Sequence, residues 1–263
     1  VLVDAYDLVI LDLDGVVVLG DRAVDGAKEA LARLRELDKT LRFATNNASR
    51  RPGEVAEMLE GMGISASADE VLTSAVAAAS ALAQRFVAGA PVLVVGAAAL
   101  RAEVAAVGLT PVTSAEDKPV AVVQGYGPDV GWTHLAEACV AVRNGAWWVA
   151  TNTDRTLPTP RGPLPGNGAL VAALATALDR RPDVVVGKPE PGLFLAAAEQ
   201  VGARRTLVVG DRLDTDIAGA RRAGMDSMLV LTGVAAERDA TAATPEQRPT
   251  YVAANMLGLF AVA

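Results

Sequence analysis

Short runs of β-branched and leucine residues recur along the chain, separated by longer stretches in which alanine and leucine return at helical spacing. The runs are LVILD, LRFATNN, PVLVVG, VAVVQG, WWVATN, DVVVGK, TLVVGD and MLVLTG. Continuous apolar character predicts strands buried on both faces, and the helical stretches between them predict parallel crossovers. The expected class is therefore α/β with a parallel sheet.

Four of the runs end in polar clusters: Asp12 and Asp14, Thr45 to Asn47, Gly187 and Lys188, and Gly210 and Asp211. Ligands of open parallel sheets bind beyond the carboxyl ends of strands, so four such clusters are expected to converge on one crevice. About 140 residues separate the second cluster from the third, far more than one crossover helix requires. An inserted α/β domain is expected over residues 89–182, dividing a core into 1–88 and 183–263. The insertion carries seven acidic and seven basic residues, which leaves the net charge of −7 in the core. Its loop TDRTLPTPRGPLPGNG is too long and irregular for a simple connection and is expected to face the ligand. The stretch from Ala235 to Arg248 reads as a surface excursion.

Composition narrows the chemistry. The acidic balance and scattered lysines and arginines exclude a nucleic-acid backbone as partner. Aromatic residues make up 4% of the 263, so the cores must be built from alanine, valine and leucine. A lone cysteine, Cys139, excludes an internal disulfide and fits a reducing compartment. No basic leader precedes the first apolar residues and no stretch reaches membrane-spanning length, so the expectation is a cytoplasmic protein with no membrane partner. A lone histidine, His134, excludes a two-histidine phosphatase or a histidine-rich metal site. Glycine at position 145, six beyond Cys139, argues against a cysteine phosphatase, and no P-loop occurs. His134, Cys139, Trp147 and Trp148 read as ordinary residues of the inserted domain.

Carboxylates, one lysine and small hydroxyl or amide side chains remain, a set suited to magnesium-assisted phosphoryl transfer. Asp12 and Asp14, placed two apart on a strand, would share one small site, and their repulsion requires a cation or a proton. Asp12 and Asp211, with the main-chain carbonyl of Asp14, are the expected Mg²⁺ ligands. Asp12 is the expected nucleophile, and Asp14 the acid that protonates the leaving oxygen and then the base that activates water. Thr45 and the amide of Asn46 would hold phosphate oxygens, with Lys188 stabilising the transition state. Asp216, five residues after Asp211, would orient Lys188 or a metal-bound water. Gly15 permits the tight turn beside them.

DLDG, TNN, GKPEPG and GDRLDTDI, in that order and each after a strand, resemble the haloacid dehalogenase superfamily of aspartate-nucleophile phosphatases. TNNASR, ATNTD, PGNGA and LTGV look more narrowly like its subgroup with a large α/β cap, the NagD, nitrophenylphosphatase, phosphoglycolate and glycerol 3-phosphate phosphatases. One departure is Asp25 in place of the proline usual before the first helix. The resemblance implies a Rossmann-like core, an aspartyl-phosphate intermediate, Mg²⁺ and a small phosphate ester as substrate. Relatives with this cap often pair through it, so a homodimer through the cap is the assembly the resemblance gives. Pyridoxal phosphatases carry an aromatic and a histidine after ATNTD, where this chain has Arg155, Thr156, Leu157 and Pro158. That form looks more like the glycerol 3-phosphate and phosphoglycolate enzymes, with Arg155 or Thr156 available to a hydroxyl or carboxylate. A pyridoxal phosphate or nucleotide phosphatase is the alternative, and a non-enzymatic phospho-receiver a remoter one.

Overall fold

The computed structural model describes residues 1–157, 159 and 161–262, and these form two compact units. One unit comprises Val1–Thr45, Pro52–Leu72 and Lys188–Ala263; the other comprises Asn46–Arg51 and Thr73–Gly187.

The first unit is built on a six-stranded sheet in the order Tyr251–Ala253, Asp226–Val230, Thr206–Gly210, Leu8–Leu11, Thr40–Thr45 and Val71–Thr73. The pairings from Tyr251–Ala253 through Thr40–Thr45 are all parallel. All four residues of Leu8–Leu11 are buried, as a strand covered on both faces demands. Val9 and Leu11 join Leu41, Phe43, Leu207 and Val209 in one core, closed by the apolar stripes of helices Ala27–Glu36 and Pro52–Gly61. Leu8 and Ile10, offset by one residue, are buried on the opposite face.

The second unit repeats this architecture. Its five strands run Val184–Val185, Trp147–Ala150, Ala121–Gln124, Pro91–Val95 and Thr110–Val112, all in parallel pairings. Alternation divides the strand residues between two cores. Val92, Val94, Val123 and Val149 pack with Ala75, Ala78 and Leu82 of helix Ser74–Arg85 and with Leu100 and Val104 of helix Ala98–Ala106. Leu93, Val95, Val122 and Trp148 pack with helices Trp132–Arg143 and Asn167–Leu178 through Ala138, Ala141, Val171 and Leu174.

Two expectations are corrected. The expected core segment 183–263 puts DVVVGK with the first sheet, yet Val184–Val185 pairs with Trp147–Ala150 in the second, and Lys188 is the residue at which the chain re-enters the first unit. The second unit also starts before residue 89. Helix Ser74–Arg85 belongs to it because Ala75, Ala78 and Leu82 bury themselves against that unit's strands. The irregular loop after residue 153 contains a short antiparallel pair, Thr156–Leu157 with Leu164–Pro165, and the excursion after Ala235 contains the single-turn helix Glu237–Thr241. Among the described residues no helix is long and apolar enough to cross a membrane.

Candidate active site

Three neighbouring strands of the first sheet end in polar residues. Leu8–Leu11 leads into Asp12, Thr40–Thr45 ends on Thr45, and Thr206–Gly210 leads into Asp211. Asp12 extends the ladder by one bond, its N–H donating to Val209 O at 2.9 Å. Its side chain is thereby presented just beyond the carboxyl end of the strand, where ligands of open parallel sheets bind.

Lys188 lies among these ends and is 3% exposed. Its ammonium donates to Asp12 Oδ1 at 2.6 Å, to Asp216 Oδ1 at 2.7 Å and to Ala44 O at 3.1 Å, which uses all three of its protons. Burial opposes its charge, but the two carboxylates outweigh that and hold its pKa above the ordinary lysine range. Asp216 is fully buried; Arg212 N–H donates to its Oδ2 at 3.2 Å. The wide π-type turn Leu213–Ile217 after Asp211 brings that carboxylate back toward the strand end.

Asp211 is held differently. Val234 N–H donates to its Oδ2 at 2.7 Å, while its Oδ1 is buried with no hydrogen-bond partner. A Cβ on Gly15 would lie 2.4 Å from Asp211 Oδ2, and Gly15 has φ +84°, so glycine alone suits both the turn and the approach. Thr232 ties the two loops together by donating its hydroxyl proton to Gly15 O at 2.6 Å. Burial, then the charge of Asp216, pushes the Asp211 carboxyl up to about 7. Burial and Asp216 likewise raise Asp12 well above the usual carboxylate range, against the pull of Lys188.

Oxygens of Asp12, Asp211 and Asp216 lie within 4.8 Å of one another. Three buried carboxylates beside one lysine, with one oxygen left without a partner, form a donor set that fits a hard divalent cation.

Two family models match the chain, Haloacid dehalogenase-like hydrolase over residues 9–110 and a second HAD-hydrolase-like model over 185–259. The D-glycerol 3-phosphate phosphatase of Mycobacterium tuberculosis is 50% identical over 254 residues, 97% of this chain and 71% of that protein. The chain belongs to the haloacid dehalogenase-like hydrolase family. Among solved members, a glycerol phosphate phosphatase from M. tuberculosis in complex with magnesium matches with TM-score 0.94 and 50% identity, covering 98% of this chain and 78% of that one. A 4-nitrophenylphosphatase from Thermotoga maritima matches with TM-score 0.90 and 33% identity over 97% of both chains.

Within this haloacid dehalogenase-like hydrolase the first unit brings together Asp12, Lys188, Asp211 and Asp216, with Thr45 2% exposed at the end of its strand. The strand stops at Leu11, so the two-residue repeat no longer applies, and Asp14 stands exposed at the head of the Gly15 turn while Asp12 is 8% exposed. Asn46 groups with the second unit, as do Arg155 and Thr156, which are exposed, and Leu157, which is half-buried. Pro158 lies outside the described residues. Sequence reasoning gave no role to Thr232 or Val234, although LTGV stood out; its place directly after an apolar run was the available signal.

Proposed function

We propose that this haloacid dehalogenase-like hydrolase is a magnesium-dependent phosphomonoesterase acting on a small phosphate ester, glycerol 3-phosphate first and 2-phosphoglycolate second. The carrying observation is Asp12, a buried carboxylate held by Lys188 next to the partnerless Asp211 Oδ1. Asp12, Asp211 and the main-chain carbonyl of Asp14 would hold Mg²⁺, with Asp216 supporting Lys188. When bound, the cation supplies positive charge that keeps Asp12 ionised and offsets the phosphate's own charge.

Asp12 attacks phosphorus in line, forming an aspartyl-phosphate as the bond to the leaving oxygen breaks. Asp14 gives that oxygen its proton, and its exposure lets it exchange protons with solvent. Asp14, now ionised, takes a proton from the water that hydrolyses this acyl phosphate, which returns Asp12 and inorganic phosphate. Lys188 holds Asp12 in register and stabilises charge on the phosphoryl oxygens, with Thr45 and the Asn46 amide holding those oxygens.

The substrate reading is supported by the 50% identity to a D-glycerol 3-phosphate phosphatase and by Arg155, Thr156 and Leu157 where a flat ring would call for an aromatic and a histidine. Residues 73–187 are the cap in this reading. A homodimer through that cap is supported by Trp132 and Val140, 80% and 48% exposed on helix Trp132–Arg143; sedimentation velocity of the protein and of Trp132→Glu tests it. A cytoplasmic setting agrees with the single cysteine.

Phosphate release from glycerol 3-phosphate, phosphoglycolate, pyridoxal phosphate and uridine monophosphate, with Mg²⁺ and with chelator, tests the assignment. Glycerol 3-phosphate is expected to give the largest kcat/KM. A lead of tenfold or more for the pyridine or nucleotide ester, about 1.4 kcal/mol, would overturn the substrate reading and leave the core chemistry standing.

A further inference from the structure

ATNTD and PGNG take no part in the chemistry above, yet inside the second unit they meet around one residue, Asn46. Asn152 Oδ1 accepts the Asp154 N–H at 3.1 Å, a turn that folds residues 152–154 back on themselves. The start of helix Asn167–Leu178 braces this turn. Asn167 Nδ2 donates to Asn152 O at 2.8 Å, and the Gly168 N–H donates to Asp154 O at 2.8 Å. A Cβ on Gly168 would stand 2.1 Å from Thr153 O, so no side chain fits between helix and turn.

The braced turn grips Asn46 twice. Asn152 Nδ2 donates to Asn46 O at 2.7 Å, and Asn46 Nδ2 donates to the two carboxylate oxygens of Asp154 at 3.2 and 3.1 Å. Ser74 Oγ donates to the same Asn46 carbonyl at 2.6 Å, which fills both of its lone pairs. On its other side the carboxamide meets Gly187, where a Cβ would come within 2.6 Å of Asn46 Oδ1. Backbone and side chain of Asn46 are thus both fixed, the side chain by a charge-assisted bond stronger than an amide partner would offer. Asn46 directly follows Thr45, so its peptide N–H is the next donor after the Thr45 hydroxyl.

We propose that Asp154 is a positioning residue for the hydrolytic reaction, fixing Asn46 so that the peptide N–H after Thr45 is held ready for a phosphate oxygen. The proposal rests on the phosphomonoesterase reading. A carboxylate is suited to this task because both of its oxygens accept from one amide nitrogen, which leaves the carboxamide a single orientation.

A double-mutant cycle of Asp154→Ala and Asn46→Ala tests it, reading kcat, KM for glycerol 3-phosphate and competitive inhibition by inorganic phosphate. Asp154→Ala is expected to lower kcat/KM and weaken phosphate inhibition roughly tenfold, with the thermal shift produced by Mg²⁺ unchanged. The double variant is expected to be no worse than Asn46→Ala within about twofold, as a residue that acts through Asn46 requires. Penalties that multiply in the double variant, or phosphate inhibition unchanged by Asp154→Ala, would overturn the role. Asp154→Asn, which preserves volume, carries the same cycle should the alanine variant fail to fold. An unsubstituted protein that releases no phosphate from any ester defeats the phosphomonoesterase reading itself. An active one with multiplicative penalties defeats only the positioning role.

Discussion

The two units share one architecture and differ in what stands at the carboxyl ends of their strands. In the first, the ends carry Asp12, Thr45 and Asp211, with Lys188 and Asp216 packed among them. In the second, Pro91–Val95, Ala121–Gln124 and Trp147–Ala150 lead into Gly96, Gly125 and Thr151, glycines and a hydroxyl. Leu100 Cδ2 would lie 2.9 Å from a Cβ on Gly96 and 3.0 Å from one on Gly125, so these ends are filled by side chain and backbone. Both sheets obey the same packing rules, and only one concentrates charge. Parallel-sheet architecture therefore fixes where chemistry is placed, and the side chains at those places decide whether there is any.

Removing the proposed nucleophile breaks the comparison most sharply. Asp12→Asn keeps shape and volume but cannot attack phosphorus and is a poor cation ligand. Turnover of 4-nitrophenyl phosphate is expected to fall by about 10³-fold or more, with far-ultraviolet circular dichroism unchanged. Substantial residual turnover would remove Asp12 from the nucleophile role.

Lys188→Met comes next, read as stability. Lys188 is the one protein cation hydrogen-bonded to both Asp12 and Asp216 among the described contacts, and both acids are buried. Breaking a buried ion pair from one side costs about 3–5 kcal/mol, and Asp12, already raised above the usual carboxylate range by burial and Asp216, takes up a proton to limit the loss. Denaturant unfolding with chelator present is expected to show that penalty, smaller at low pH than at neutral pH. A penalty below about 1 kcal/mol would mean that the cluster is as weakly coupled as a surface pair.

The same charges make the first unit sensitive to metal and pH. Asp211, raised to about 7 in the folded chain by burial and Asp216, takes up protons more readily than in the unfolded chain. Its contribution to stability is thus fully present below about pH 4 and lost as pH rises through about 7. Asp12 acts in the same direction. A cation takes the place of the proton, so the rise in Tm on adding Mg²⁺ is expected to grow from about pH 5.5 to about pH 7.5. A pH-independent rise would show that these carboxylates are not the ones bound.

Much of this was legible in the chain. LVILD and TLVVGD announced doubly buried strands, and Asp12, Lys188 and Asp211 could be named because each follows an apolar run that stops abruptly. What resisted reading was tertiary. DVVVGK has the same local pattern whichever sheet it joins, and Val184–Val185 is assigned by its partner Trp147–Ala150. The alanine-rich helix Ser74–Arg85 has no signal of its own for the core it covers. The exposure of Asp14 was not legible either, because the two-residue repeat ends with the strand at Leu11. The grip of Asn152 and Asp154 on Asn46 joins residues about 106 apart in sequence, which no local spacing encodes.

The smallest effect is expected in the second unit, at a buried amide of the strand Ala121–Gln124. Gln124 is fully buried at the end of its strand, with Oε1 accepting the Trp148 Nε1–H at 3.1 Å and Nε2 without a partner. Gln124→Leu strands the indole N–H, at a cost of about 1–3 kcal/mol, and at the same time removes a buried orphan donor of similar cost. The two changes oppose each other, so a net change below about 1 kcal/mol is expected, with kcat/KM unchanged because Gln124 is not in the catalytic machinery. Were Gln124→Leu to destabilise by 3 kcal/mol or more, Nε2 would have to be hydrogen-bonded to a buried water. If the change instead lies near zero, the Gln124 amide supports packing alone, in contrast to the buried carboxylates Asp12, Asp211 and Asp216, whose arrangement fits a cation.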